Sequence, residues 1–399
     1  MTHDSVRRTS IAVFAAALVA AAAPLSAQCA ASRADPTSSA WDTAHALLAA
    51  GSIPTSEVIA VARGIVCRSD LAMRNGTIEF ELGPARDTYA GIAFRIGSPL
   101  DYELLVFRPG SNGRWLAAQY YPVHQGAAAW QLYPGEGYEA DIPAAAAYTP
   151  DGWLPVRIVI AGPRADVSVA GASAPVLRVK GLVRDPVIGA TGVWTQGGKD
   201  TSASNASVRA FRVTASNVLR LDPLPEAAVS PGHVMRWRIS PRFDAPDSIR
   251  FADALSPAAE SATRGGSVIT ASRTGLVDFT TLIGNPAGAQ TTEAFNGAGW
   301  GLAYARVTIH AAAREVRRLG LTYSDAVGVY LNGALVYEGD NRLGARNRYQ
   351  LGSIGSEAER VALHLRPGDN EVVIAVADRA FGWGFSATLD ATDGLRIVP

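Results

Sequence analysis

Along most of the chain, apolar and polar residues alternate in short runs, and Gly, Pro, Asn or Asp breaks each run. The segments GTIEFEL (76–82), YAGIAFRI (89–96) and LPVRIVI (154–160) carry the pattern clearly. A period of two puts successive side chains on opposite faces of an extended chain, so these runs predict strands. Further runs predict strands at 58–62, 102–108, 116–121, 130–133, 165–169 and 176–179. One short helix is expected over 41–50, stopped by Gly51 and Pro54. No other stretch of this half has a helix-length 3.6-residue period. Many short strands with polar turns between them make a sandwich or barrel, not alternating strands and helices.

A second series begins after the proline-bearing stretch 221–231. Its first strand is expected at 234–239, and a Gly/Pro/Ser-rich region then hides the pattern to about Gly301. Later runs predict strands at 304–309, 326–331, 334–337, 360–365, 370–377 and 385–389. Asn332-Gly333 between two of them is a hairpin signal, because both residues tolerate positive φ. Pro367-Gly368-Asp369-Asn370 forces another tight reversal. The expected fold is therefore all-β, with two β-sandwich domains at 28–214 and 232–399 and a linker at 215–231.

The N-terminus changes this reading. Arg7 and Arg8 precede an apolar run of signal-peptide length, which ends in small residues at Ala27. Residues 1–27 read as a secretory signal, which implies a periplasmic or secreted protein with no membrane anchor after cleavage. Export permits a disulfide between Cys29 and Cys67, the two cysteines present; two independent thiols are the alternative. The 36 basic residues balance 36 acidic ones. That balance excludes the chain-wide positive field expected for a nucleic-acid partner.

Candidate chemistry gathers between 95 and 133. QYYPVHQG (119–126) and WQLY (130–133) concentrate amides, an imidazole and aromatic rings. Such groups suit a sugar, which needs an apolar ring face and partners for its hydroxyls. Arg95, Glu103, Arg108, Gln119, Tyr121, His124 and Gln131 are the expected polar contacts, with Trp130 or Tyr133 stacking. A surface ion pair is the simplest role for Arg95 and Glu103. If the protein is an enzyme, His124 and Tyr121 would supply base and acid, with Glu103 and Arg95 beside them. Glu79 and Glu81 share a strand face at a spacing compatible with a glycosidase pair, although solvated charges are the simpler account. No zinc, phosphate-loop or nucleophile-elbow motif is present. No cofactor is required, although Asp340-Asn341 and Asp369-Asn370 offer oxygen ligands to a structural Ca2+.

RNGTIEFEL, YAGIAFRIGSPLDYELLVFRP and QYYPVHQGAAAWQLYPGEGYEA together resemble bacterial laminin-G-like domains of the concanavalin-A lectin/glucanase class. The resemblance covers roughly 52–214. It implies two stacked antiparallel sheets whose concave face binds or cleaves carbohydrate in related proteins. The E-x-D-x-x-E strand of laminarinase-type glycosidases is missing from this sequence. SDAVGVYLNGALVYEGDN and LRPGDNEVVIAVADRAFGWGFSATL resemble galactose-binding-like jelly rolls, in which Trp383 would be a site candidate. The resulting expectation is an exported carbohydrate-binding protein that takes a glycan on the N-terminal concave face. A glycan-active hydrolase or metal-independent lyase, and a structural or protein-interaction module, are the alternatives.

Overall fold

The computed structural model describes residues 41–48, 58–83, 90–108, 111, 116–143, 146–195, 206–225, 229, 231–245, 250–284, 300–345, 351–355, 358–379 and 381–399. The expected signal segment and Cys29 lie outside the described residues. Within them the chain is all-β apart from short helices.

The first half forms one long antiparallel sheet. From one end it runs Leu177–Val179, Arg164–Val169, Leu154–Ala161, Gly76–Leu82, Ala206–Ala215 and Val58–Met73. It continues through Gly189–Thr195, Ala90–Ser98, Asp101–Phe107 and Ala118–His124 to Ala127–Ala128. Residues from both ends meet in one core: Ile158, Val167 and Leu177 with Phe107, Ala118 and Tyr120. The sheet therefore curls on itself, and the rings of Phe80 and Phe107 meet edge-on at 5.7 Å.

Two expectations fail locally. The stretch expected as a helix holds a strand, Asp42–Leu48, which pairs with the long strand Val58–Met73. Tertiary pairing overrides a weak helical preference there. The expected strand at 130–133 is a single 3-10 turn, Trp130–Leu132.

Strand Asp101–Phe107 is covered on both faces. Leu105 and Phe107 join the first core, while Tyr102, Leu104 and Val106 join a second one. That second core also takes Tyr121, Val123, Leu132 and Tyr133, with Leu276 and Ile354 of the second half packed against it. The face expected to receive a ligand is thus apolar core. Each such side chain contributes about 1.5–3 kcal/mol by burial.

The second half stacks an eight-stranded sheet on a four-stranded one. The smaller sheet runs Leu276–Asp278, Gly384–Leu389, Glu315–Ser324 and Glu359–Leu365. Trp237, Phe279, Trp383 and Phe385 fill the space between the sheets. Trp383 is fully buried and donates its indole N–H to Gly284 O at 3.0 Å, so no ring face is left for a sugar. The Asn332-Gly333 hairpin forms as expected, with φ of 52° and 86°. The Gly/Pro/Ser-rich region holds helix Pro257–Arg264, which Ser256 caps by accepting from Ala259 N at 3.2 Å.

The side chains expected as oxygen ligands have protein partners. Asn370 is fully buried and ties Arg366 N and O at 2.9 and 2.8 Å. Asp369 meets His310 at 2.8 Å, and Asp340 pairs with Arg342. Asn341 donates to Tyr323 O at 2.8 Å. Among the described residues, no helix is long and apolar enough to cross a membrane.

Candidate functional site

The structure places the sequence-derived candidates mainly inside the protein. Glu103 and Arg95 are both fully buried, which overturns the surface ion pair. The Glu103 carboxyl accepts from Tyr120 O–H at 2.6 Å and from Arg184 N–H at 3.0 Å. The same Tyr120 oxygen accepts from Val183 N–H at 2.7 Å. Burial pushes Glu103 up to about 7, against the opposing pull of these hydrogen bonds and of Arg95. Arg95 sits at φ 50° and donates to Arg74 O at 3.0 Å and Gly162 O at 2.6 Å. Its side chain thus ties together separate turns of the sheet.

Arg108, Gln119 and Glu139 form a relay. Arg108 donates to Gln119 Oε1 at 2.7 Å, and Gln119 Nε2 donates to Glu139 Oε1 at 2.7 Å. The other Glu139 oxygen accepts from Gly135 N–H at 2.6 Å, so the relay holds a turn. Tyr121 and His124 are three residues apart on one strand, which sets them on opposite faces. Tyr121 enters the second core, whereas His124 lies 3.3 Å from Asp101 at the strand end. The structure does not bring that pair into one site. Glu79 and Glu81 are bonded separately, to Arg157 at 3.6 Å and Arg209 at 2.5 Å.

Segment 129–133 docks the first half against the second. Gln131 is fully buried; it donates to Leu351 O at 2.9 Å and accepts from Ser324 O–H at 3.1 Å. Its backbone carbonyl accepts from Ile354 N–H at 2.8 Å. Tyr133 O–H donates to Asp278 Oδ2 at 2.7 Å, both residues being buried. Trp130 packs on Phe381 with ring centres 5.5 Å apart. A Cβ at Gly382 would lie 2.7 Å from Ala129 Cα, so the backbones meet closely. The amide-rich and aromatic-rich run that reads as a sugar platform is a joint. Changing Tyr133 to Phe leaves a carboxylate lone pair of Asp278 without its donor. The expected loss is about 1–3 kcal/mol in chemical denaturation, and an unchanged midpoint would contradict it.

Between the halves lies a cleft of about 640 Å³. One wall is the outer face of the four-stranded sheet. In Gly384–Leu389, Phe385, Ala387 and Leu389 enter the core, which turns Ser386 and Thr388 outward. In Glu315–Ser324, Leu319, Leu321 and Tyr323 enter the core and Thr322 faces the cleft. His233, Thr270, Ser272, Thr274 and Thr281 extend this wall. Leu132, Tyr133, Pro134, Glu136 and Tyr138, with Gly181 to Val183, supply the opposite wall. Of the sequence-derived candidates only Tyr133 reaches the cleft. The missed residues carry a faint signal, as the polar positions of an otherwise apolar strand, FSATL. Nothing in that pattern tells which element stands opposite.

No protein-family model and no curated protein sequence matches the chain. Solved structures give partial alignments. A putative glycosyl hydrolase from Parabacteroides distasonis is 12% identical, with 44% of this chain and 99% of that one covered and a TM-score of 0.29. The carbohydrate-binding module CBM66 from Bacillus subtilis is also 12% identical, over 44% of this chain and 93% of that one, with a TM-score of 0.28. A β-glucosidase from Kluyveromyces marxianus in complex with glucose is 16% identical, with a TM-score of 0.18. That alignment covers 23% of this chain and only 10% of the β-glucosidase. The all-β assignment rests on the chain's own sheets.

Proposed function

We propose that this is an exported carbohydrate-binding protein that takes a neutral glycan in the cleft between its halves. The lining of that cleft carries the reading. Among the described residues, seven Ser and Thr side chains line it, and no Lys or Arg does. Hydroxyls donate and accept, so they pair with sugar hydroxyls in either sense. A volume near 640 Å³ lies within the usual range for ligand sites. Arg95 and Arg108, the cations that could read a uronate, are committed elsewhere.

In this reading residues 1–27 are removed, and 28–214 and 232–399 are two domains docked through segment 129–133. A Cys29–Cys67 disulfide ties the N-terminal arm to a fully buried strand residue. Peptide mapping without reductant should recover the Cys29–Cys67 cross-link; alkylation of both thiols would remove it from the account.

Calorimetric titration against a panel of neutral oligosaccharides tests the cleft. Thr322→Trp fills it and should weaken binding on the order of 100-fold, the effect of about 2.7 kcal/mol. Thr388→Val removes one hydroxyl and should cost about 0.5–1.5 kcal/mol. Binding that survives Thr322→Trp unchanged would place the site elsewhere.

A further inference from the structure

The cleft also holds a serine and a histidine in contact, and we infer that Ser386 and His233 form a nucleophile–base pair for acyl transfer, acting on an acyl ester of a polyhydroxylated alcohol. The alcohol part rests on the glycan reading above; the pair itself does not. Strand alternation fixes Ser386 toward the cleft, where it is paired in register with Leu276. A backbone bridge between His233 and Thr388 holds the histidine two residues along the same strand. From there its Nδ1 lies 3.5 Å from Ser386 Oγ. That is long for a hydrogen bond, as nucleophile–base contacts often are before substrate binds.

The imidazole has a fitted place. Gly275 packs against it at φ 79°, and a Cβ there would sit 2.0 Å from His233 Nδ1. Any side chain at 275 would displace the ring. Burial lowers the His233 pKa, which favours the neutral, basic form.

The chemistry balances with water as the only co-reactant. Ser386 Oγ gives its proton to His233 Nδ1 and bonds to the ester carbonyl carbon. The tetrahedral adduct expels the alkoxide, which takes the proton from His233, leaving the acyl group on Ser386. Water then gives a proton to His233 and attacks that acyl carbon. The Oγ–acyl bond breaks, the proton returns to Oγ, and a carboxylic acid leaves.

An alkyl fluorophosphonate and p-nitrophenyl acetate test the pair on the full chain without needing a sugar. A single phosphonyl adduct is expected, mapped to Ser386, together with turnover of the acetate. Ser386→Ala should abolish the adduct, and His233→Gln should slow turnover by roughly 10²–10⁴-fold. Ser386→Cys gives a second readout: iodoacetamide should alkylate Cys at this position faster with His233 present than with His233→Gln. No adduct at Ser386 in a chain with a native melting curve, or labelling unaffected by His233→Gln, would overturn the pair. Labelling without oligosaccharide binding would sink the glycan reading and support the pair, whereas binding without labelling would do the reverse.

Discussion

The folded chain is expected to be more stable near pH 5 than near pH 7.5, with a thermal midpoint that falls as pH rises between them. Burial holds Glu103 and Glu139 each up to about 7 and also raises Asp325, which is buried beside the buried carboxyl of Asp378, whereas in the unfolded chain they ionise near the ordinary carboxylate value. Below about pH 4 both states are protonated, and these groups contribute no pH dependence. Between there and pH 7 the unfolded chain loses protons that the folded chain keeps, which favours unfolding. Above 7 both states are ionised, and the full cost of three buried charges is present. Glu103 alone accounts for about 3 kcal/mol. His233 works the other way, since its lowered pKa withdraws stability as pH falls below its ordinary value. Asp101 also opposes the trend, only at more acid pH: burial raises its pKa, but His124, Gln125 N–H and Arg184 outweigh that and hold it well below the carboxylate range. Three buried acids should outweigh one half-buried histidine. Melting followed by circular dichroism across pH 4.5 to 8 checks this, with Glu103→Gln as the control. The variant should show a shallower slope; a midpoint that rises over the same range, or an unaltered slope in Glu103→Gln, would refute the account.

Gln131→Ala is expected to loosen the joint between the halves. The substitution removes the donor to the half-buried Leu351 carbonyl, leaves the buried Ser324 hydroxyl only its longer contacts with Gly382 O and Asp325, and opens a small cavity. Two lost partners and a cavity cost about 2–4 kcal/mol, a midpoint shift on the order of 10 °C for halves of this size. Scanning calorimetry should also show the single transition broadening or splitting, because each half keeps its own core. Gly382→Ala attacks the same joint from the other side by pushing Ala129 away. A midpoint within about 1 °C of the parent in both variants would mean that the segment is not what couples the halves.

Strand alternation made the fold class legible. The period of two at 76–82, 102–108 and 154–160 survives as the strands Gly76–Leu82, Asp101–Phe107 and Leu154–Ala161, and Asn332-Gly333 turns where its positive φ demands. Alternation did not reveal layering. The expected strand at 102–108 carries no sign of what lies over each face, and a second core covers Tyr102, Leu104 and Val106. The covering residues, such as Leu276 and Ile354, come from far along the chain. The same limit hid the cleft. Ser386 and Thr388 are ordinary strand residues until the 132–138 segment stands opposite them. Gln131 and Tyr133 read as sugar contacts because amides and rings suit a glycan, and once buried the same amide and phenol need partners. Those partners turned out to be protein rather than sugar.

The bond from Gln131 to Leu351 spans 220 residues of chain. At ordinary elongation rates, roughly 10 to 45 seconds separate the emergence of its two ends from the ribosome. Through that interval the first half can complete its curled sheet, but segment 129–133 has nothing to dock against. A burial-hungry amide, two aromatic rings and an unfilled cleft wall are then open to solvent and to other molecules. Ribosome-bound chains halted near residue 250 should accordingly be cut by protease around 130, and full-length chains should resist.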